Sequence, residues 1–139
     1  MRDKRVGILV VSHSEDAARG IRDIAASMSG TKDGALIAGV GGNDAGGLGV
    51  SVEKIFDALA EMLTKTESVL IIPDLGSSVL SSRSAVELLP PEQVSSVMIA
   101  DAPILEGAMV AAVEASVGRD LAQVADSASK ARDLRKNEH

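Results

Sequence analysis

The segment Arg5–Ser14, RVGILVVSHS, decides how the rest of the chain is interpreted. Aliphatic residues around one glycine form a short, nearly continuous apolar run, which is typical of a strand buried on both faces of a parallel sheet. The run ends at Ser12, and a helical pattern begins at Glu15. His13 is therefore predicted to lie on the turn between the carboxyl end of a strand and the amino end of a helix, where open α/β sheets bind their ligands.

Length and composition limit the functions that this chain can perform. Its 139 residues suit a single domain over residues 1–139, in which the charged tail from about 130 to 139 is expected to fray. Phe56 is the only aromatic residue, so the chain lacks a platform for stacking bases or for sandwiching a flavin ring. The net charge of −6 argues against nucleic acid and anionic membranes as partners.

The sequence also argues against disulfides, metal sites, nucleotide sites and insertion into a membrane. There is no cysteine, which excludes disulfides and thiolate metal ligands. The sequence also contains no Walker lysine and no paired-carboxylate metal site, so neither a metal nor a nucleotide is expected on this chain. Its apolar runs are too short for a secretory signal or for the ~20 residues of a membrane span. We therefore expect a cytoplasmic protein.

Strand-like and helix-like patterns alternate along the chain. Short apolar runs predict four buried strands: residues 6–11, 35–40, 68–72 and 94–100. Amphipathic patterns predict the helices that follow them: residues 15–29, 52–65, 79–89, 104–117 and 121–128. Right-handed crossovers between such units give an α/β fold with helices on both faces of a parallel sheet. A flavodoxin-like strand order of 2-1-3-4 would place the ends of strands one and three side by side.

A carboxylate follows the third strand in the position that His13 occupies after the first. The segment Pro73–Ser78, PDLGSS, forms the predicted turn, and Asp74 is its second residue. In the strand order above, Asp74 and His13 lie on adjacent strand ends. A carboxylate that accepts the proton of one imidazole nitrogen leaves the lone pair of the other nitrogen free to attack an electrophile. We therefore predict that His13 is a nucleophile oriented by Asp74.

Backbone groups near His13 are suited to binding a phosphoryl group. The first helix begins after Ser14, and the turn at Gly76 and Ser77 leads into the third helix. The amino ends of both helices present unpaired N–H groups and a partial positive charge. The glycine-rich loop 41–49 can bring further N–H groups close, because its glycines have no Cβ. The sequence therefore predicts an anion site around His13.

Each of these residues also has a simpler interpretation. His13 could be a loop histidine with an ordinary hydrogen bond, and Asp74 could cap the third helix. Ser12 or Ser14 could be the nucleophile of a hydrolase, although the GxSxG elbow of such enzymes is absent. The glycine-rich loop matches no GxGxxG motif after the first strand.

Three segments together carry a resemblance to a known family: Val6–Ser14, Asp74–Leu89 and Ala102–Gly107. They resemble the phosphocarrier subunits of phosphotransferase-system-dependent dihydroxyacetone kinases, whose first domain is similar to the mannose-type enzyme IIA domains of bacterial sugar transport. The combination of Asp-Leu-Gly-Ser with Ala-Pro-x-x-Glu-Gly is typical of the kinase branch. The Gly-Gly-Ser-Pro-like run of the mannose branch is absent.

The resemblance implies a flavodoxin-like IIA fold, usually a homodimer, whose active-site histidine is phosphorylated by the phosphocarrier protein HPr. It implies that the phosphoryl group then passes to ADP on the nucleotide-binding subunit of the kinase, which phosphorylates dihydroxyacetone on a third subunit. The chain would thus be part of a phosphoenolpyruvate-dependent dihydroxyacetone phosphotransferase and would need no cofactor of its own. By this resemblance His13 is the carrier, Asp74 its partner, and Gly76 and Ser77 the phosphate-side turn.

Two departures from the family pattern modify these expectations. Some members continue into HPr-like and enzyme I-like domains that are absent from this sequence, so HPr is expected to be a separate protein. The Gly-Thr that often precedes the second helix is replaced here by Gly49-Val50-Ser51, which makes Ser51 the candidate for the hydroxyl contact with phosphate. The alternatives are an enzyme IIA component of a mannose-type sugar permease and a regulatory module whose histidine is phosphorylated as a signal.

Overall fold

The first strand is one of two inner strands of a four-stranded parallel sheet in the computed structural model, which describes residues 1–30 and 36–137. The strands are β1 (Gly7–Ser12), β2 (Ile37–Gly41), β3 (Val69–Pro73) and β4 (Val97–Ile99). Their order is β2-β1-β3-β4. Every residue of β1 and β3 is buried, as expected for strands that helices cover on both faces. The predicted α/β fold and strand order are therefore confirmed.

Helices connect the strands and pack on both faces of the sheet. They are α1 (Glu15–Ser29), α2 (Val52–Lys65), α3 (Gly76–Glu87), α4 (Pro91–Val94), α5 (Ile104–Ser116) and α6 (Leu121–Lys130). Side chains alternate along a strand, so Ile8 and Val10 pack against α1, α5 and α6, whereas Leu9 and Val11 pack against α2 and α3. Within the described residues, no helix combines the length and the apolar character needed to cross a bilayer.

The region around the two adjacent prolines differs from the prediction. Residues 94–100 are predicted as a strand, but Pro91–Val94 forms the short helix α4 and the strand is limited to Val97–Ile99. Pro91 is the first residue of α4, a position at which the fixed φ angle of proline favours a helix. The prolines that end one helix therefore also begin the next. Residue 35 of the predicted second strand lies outside the described residues.

The C-terminal segment is more ordered than predicted. After α6 ends at Lys130, a 3-10 turn covers Ala131–Asp133, and Ala131 is buried. Arg132 pairs with the carboxylate of Asp101 at 3.2 Å. These contacts hold the turn against the domain, so the fraying predicted for residues 130–139 does not apply to residues 130–133. Residues 138 and 139 lie outside the described residues.

The end of β2 passes so close to the turn after β1 that it leaves no room for a side chain. A Cβ atom added at Gly41 would lie 2.6 Å from the carbonyl oxygen of Ser12 and 2.7 Å from that of Ser14. Both oxygens belong to the backbone, so relieving the overlap would move the turn that carries His13. Gly41 therefore allows the close approach of β2 on which the position of this turn depends.

We expect Gly41→Ala to lower the free energy of unfolding by about 1–3 kcal/mol, because the added methyl group overpacks against the backbone. Gly20 in α1 provides the matched control, since a Cβ there would meet nothing within 4 Å. Gly20→Ala should raise the free energy of unfolding by up to ~1 kcal/mol through helix propensity. Urea denaturation measures both changes, and equal stability of Gly41→Ala and the parent protein would contradict the packing argument.

Candidate active site

His13 and Asp74 are in contact beyond the carboxyl ends of β1 and β3. These strands pair in parallel with Val11 opposite Pro73, so the turns that follow them are neighbours. His13 Nδ1 lies 3.0 Å from Asp74 Oδ1, and the backbone N–H of His13 donates to Asp74 Oδ2 at 2.9 Å. The contact predicted from the strand order is therefore confirmed.

The contact with Asp74 determines which ring nitrogen of His13 carries the proton. An ionised carboxylate can only accept, so His13 Nδ1 is the protonated nitrogen and donates to Asp74. His13 Nε2 then has a free lone pair, and the hydroxyl of Ser77 donates to it at 2.7 Å. The side chain of His13 is 29% exposed, so an incoming group can reach the ring. This is the geometry of a nucleophilic imidazole.

Hydrogen bonds keep Asp74 ionised. In addition to the two donors of His13, the hydroxyl of Ser12 donates to Asp74 Oδ2 at 3.0 Å and that of Ser78 to Asp74 Oδ1 at 2.5 Å. Burial alone would raise the pKa of Asp74, but the hydrogen bonds from Ser78, His13 and Ser12 outweigh burial and lower this pKa to about 2. Asp74 therefore carries its negative charge at neutral pH and accepts the imidazole proton.

The amino end of α3 has no side-chain cap. Leu75 occupies the N-cap position, and the first helical hydrogen bonds run from the N–H groups of Ser78 and Val79 to its carbonyl oxygen. The N–H groups of Gly76 and Ser77 precede these bonds and are thus suited to bind an anion beside His13 Nε2. By contrast, three other helices begin at capping side chains: Ser14, Ser51 and Asp120.

Asp74 is not the cap of α3, which was the simpler interpretation of this residue. Its carboxylate accepts from the Ser78 hydroxyl and not from a backbone N–H of the helix. The remaining hydrogen bonds of the carboxylate go to Ser12 and His13, on the neighbouring strand end. The side chain of Asp74 thus joins two elements of the fold at the site.

The glycine-rich loop is held against the turn that carries His13. The N–H of Gly49 donates to the carbonyl oxygen of His13 at 2.8 Å. Asn43 organises the loop from within, because its Oδ1 accepts from the N–H groups of Ala45 and Gly47 and its Nδ2 donates to the carbonyl oxygen of Leu48. Since the N–H of Gly49 already has a backbone partner, Gly49 positions the turn in this structure. Its contact with phosphate stays a prediction.

Two serines predicted to bind phosphate have structural partners here. The hydroxyl of Ser51 accepts from the N–H of Lys54 at 3.2 Å and donates to Asp44 at 2.5 Å. The hydroxyl of Ser14 accepts from the N–H of Ala17 at 3.1 Å and so caps α1. Among the predicted phosphate-side residues, Ser77 is the one whose hydroxyl contacts His13 Nε2, at 2.7 Å. The roles of Ser14 and Ser51 toward phosphate remain predictions.

The hydrogen bonds from Ser12 and Ser78 to Asp74 were not predicted from the sequence. Ser12 and Ser78 are 4% and 0% exposed, and both donate to Asp74. Ser78 also lies 3.2 Å from His13 Nδ1. A signal for Ser78 was present in the sequence, because it follows Asp74 by four residues and α3 begins between them. Ser12 ends β1 and was considered only as a hydrolase nucleophile.

Fold and site together define the class: an open α/β protein with a carboxylate-oriented histidine at the carboxyl edge of its parallel sheet. Residues 7–125 match the EIIA-man family model, described as "PTS system fructose IIA component". This match covers β1 through the first half of α6. It therefore includes both strand ends and both turns that form the site.

Comparisons with relatives refine this assignment. The chain is 38% identical over 112 residues to the phosphoryl donor subunit DhaM of PEP-dependent dihydroxyacetone kinase 2 from Listeria innocua, covering 81% of this chain and 87% of that protein. It is 31% identical over 127 residues to the corresponding DhaM subunit from Providencia stuartii, covering 91% of this chain. The chain spans about a quarter of that longer relative, 26% of its length.

A solved structure shows the same architecture. The crystal structure of EF1359, a protein titled as of unknown function, superposes with a TM-score of 0.79 and is 34% identical, covering 97% of this chain and 99% of the other. The chain therefore belongs to the EIIA-man family, within its DhaM branch of phosphoryl donor subunits.

We expect Asp74→Asn to remove a pH-dependent part of the stability. The folded-state pKa of Asp74, about 2, lies below the ordinary value of 3.8, so this group stabilises the fold fully above about pH 5 and loses that contribution as the pH falls toward 2. The difference in the free energy of unfolding between the parent and Asp74→Asn should therefore shrink by about 1–2 kcal/mol between pH 5 and pH 2.

Chemical denaturation across this pH range measures the difference. Asp57→Asn, at an exposed position of α2, is the control for the loss of one carboxylate. The proposed origin of the stabilisation would be disproved if Asp74→Asn and the parent lost stability in parallel down to pH 2.

Proposed function

We propose that this chain is the phosphoryl carrier of a phosphoenolpyruvate-dependent dihydroxyacetone kinase. It accepts a phosphoryl group from HPr on Nε2 of His13 and passes that group to ADP on the nucleotide-binding subunit of the kinase. The observation that carries the proposal is the 3.0 Å contact between His13 Nδ1 and Asp74, which leaves the lone pair of Nε2 free on an exposed ring. The names of the DhaM relatives favour a kinase acceptor over a sugar permease.

The first transfer requires no proton movement at His13. The Nε2 lone pair attacks the phosphorus of the donor phosphohistidine, a new P–N bond forms, and the electron pair of the old P–N bond returns to the donor imidazole. The proton on Nδ1 stays in place, and the negative charge of Asp74 offsets the positive charge that develops on the ring. Asp74 thus stabilises the phosphorylated state as well as orienting the attack.

The second transfer breaks the P–N bond at His13. A terminal oxygen of ADP attacks the phosphorus, the P–N bond breaks, and its electron pair returns to Nε2. ATP forms on the partner subunit, which then phosphorylates dihydroxyacetone bound on the third subunit. The proposal therefore places no cofactor on this chain, since the nucleotide stays with its partner.

The amino end of α3 provides the hydrogen-bond donors that would bind the phosphoryl oxygens. The hydroxyl of Ser77 lies 2.7 Å from Nε2 and can turn from the Nε2 lone pair to a phosphoryl oxygen as the donor approaches, which frees the lone pair for attack. The N–H groups of Gly76 and Ser77 and the helix dipole add further stabilisation of negative charge. Direct transfer between two proteins needs such an exposed and preorganised site.

Two parts of the proposal come from the family resemblance. One is that HPr, as a separate protein, is the donor, and the other is that the chain acts as a homodimer. Net charge supports the first, because an acidic carrier at −6 favours rapid encounter with a basic donor surface. Nucleic acid and membrane have no role in this proposal.

We expect His13→Ala to abolish labelling without unfolding the chain. The protein is incubated with phosphoenolpyruvate, enzyme I and HPr, and acid-labile phosphate on this chain is located by mass analysis. His139, the other histidine, provides the control, and His139→Ala should be labelled like the parent. Retained labelling of His13→Ala would remove His13 from the mechanism, and circular dichroism verifies that the variants fold.

We expect Ser77→Ala to lower the equilibrium constant for phosphoryl transfer from phospho-HPr by roughly tenfold, because the hydrogen bond that Ser77 gives to a charged phosphoryl oxygen is stronger than the one it gives to neutral Nε2. The matched control is Ser84→Ala, because Ser84 is also on α3 but its hydroxyl donates to the carbonyl oxygen of Leu80. The phosphorylated fraction is measured by intact mass at a fixed ratio of the two proteins. An unchanged fraction in Ser77→Ala would exclude Ser77 as a phosphate ligand.

A further inference from the structure

Two adjacent serines at the start of α3 contact the two nitrogens of the His13 ring. The hydroxyl of Ser77 lies 2.7 Å from Nε2, and that of Ser78 lies 3.2 Å from Nδ1. Nε2 is the nitrogen that would carry phosphate, whereas Nδ1 holds the proton that Asp74 accepts. The two hydroxyls therefore act at opposite sides of one imidazole.

Ser78 and the ring of His13 share one acceptor. The hydroxyl of Ser78 donates to Asp74 Oδ1 at 2.5 Å, and His13 Nδ1 donates to the same oxygen at 3.0 Å. A hydrogen bond to an ionised carboxylate stabilises its charge and makes it a weaker base. Burial raises the pKa of Asp74, and among the hydrogen bonds that lower this pKa, the one from Ser78 has the largest effect. The hydroxyl of Ser78 thus weakens the attraction of Asp74 for the imidazole proton.

The fold fixes the donors that this carboxylate receives. Asp74 Oδ2 accepts from the hydroxyl of Ser12 and the N–H of His13. Ser78 is 0% exposed and Ser12 is 4% exposed, so bulk water does not exchange with either hydroxyl. Within the described residues, removing the hydroxyl of Ser78 would leave Asp74 Oδ1 with His13 Nδ1 as its donor.

The hydrogen bond between His13 Nδ1 and Asp74 differs in strength between the empty and the loaded carrier. The empty imidazole is neutral, whereas a ring with phosphate on Nε2 and a proton on Nδ1 is positively charged. Hydrogen bonds between two charged groups are stronger than those with one neutral partner. A more strongly accepting Asp74 would therefore stabilise the loaded state more than the empty state. A carrier that binds its phosphoryl group too tightly passes it on slowly, because stabilising a ground state raises the barrier to leaving it.

We infer that Ser78 is a positioning residue that keeps the phosphoryl group on His13 easy to release, because its hydroxyl limits how strongly Asp74 attracts the Nδ1 proton. The effect on release rests on the proposed function, whereas the competition for Asp74 Oδ1 exists in the empty protein. Ser77 and Ser78 then have opposite effects. Ser77 stabilises the loaded carrier at Nε2, and Ser78 destabilises it at Nδ1.

The first test measures the equilibrium constant for phosphoryl transfer from phospho-HPr, by intact mass at fixed ratios of the two proteins. We expect Ser78→Ala to raise this constant roughly fivefold, since Asp74 loses a hydrogen bond that its charge had accepted. Ser77→Ala should change the constant in the opposite direction. Ser78→Cys, which keeps the size of the side chain but donates weakly, should give an intermediate value.

Ser82→Ala is the matched control for removing a buried hydroxyl from α3. Ser82 lies one turn after Ser78 on the same face of the helix and is 0% exposed. Its hydroxyl has no hydrogen-bond partner in the part of the chain that the structure describes. The equilibrium constant of Ser82→Ala should therefore equal that of the parent. A constant that is unchanged or lowered in Ser78→Ala would contradict the inference, because a merely structural contact with Asp74 would not favour the loaded state when it is lost.

A second test uses the empty protein and needs no phosphoryl donor. In a His139→Ala background His13 is the only histidine, and the ¹⁵N chemical shifts of its ring report the strength of the hydrogen bond from Nδ1. The Nδ1 resonance should move downfield in Ser78→Ala and stay in place in Ser82→Ala. A resonance that does not move in Ser78→Ala would overturn the inference at its first step. If the resonance moves but phospho-HPr does not label the parent, the proposed function fails, and the role of Ser78 in release fails with it.

Discussion

The carboxylate of Asp74 is the group on which the arrangement of the site depends. It accepts hydrogen bonds from the end of β1, through Ser12 and His13, and from the first turn of α3, through Ser78. This partly buried charge thereby fixes the backbone of the histidine turn, the plane and tautomer of the ring, and the start of the helix that contacts Nε2. Four donors share the charge, and their hydrogen bonds keep the carboxylate ionised.

The sheet positions the hydrogen-bond donors to this carboxylate in the absence of a phosphoryl group. β1 and β3 are adjacent and parallel, so their turns meet at one edge, and Gly41 at the end of β2 leaves the histidine turn undisturbed. The glycine-rich loop then attaches to that turn through Gly49. The imidazole of His13 is thus preorganised by elements far apart in sequence, which under the proposed function lowers the cost of reaching a reactive geometry.

The central part of this arrangement could be predicted from the sequence. Continuous apolar runs identify the two inner strands, and a parallel order of 2-1-3-4 then brings His13 and Asp74 together. The hydroxyl contact of Ser12 could not be predicted, because serine is equally suited to caps, turns and buried hydrogen bonds. For Ser78 the sequence offered only its spacing of four residues from Asp74. The helix that begins at Pro91 was not predicted, because the apolar run from residue 94 does not distinguish the end of a short helix from the start of a strand. The loop contacts of Gly49 and Ser51 depend on backbone geometry that their residue types do not specify.

The amino end of α3 has no side-chain cap, and this has a consequence for a phosphoryl carrier. In the resting protein the helix begins with uncapped N–H groups, and the hydroxyls of Ser77 and Ser78 contact the two nitrogens of the imidazole. Under the proposed function, a phosphoryl group on Nε2 supplies the missing cap and tightens the first turn. Loading and unloading the carrier would then stiffen and loosen this helix, so that a docked protein could sense through α3 whether the carrier is charged.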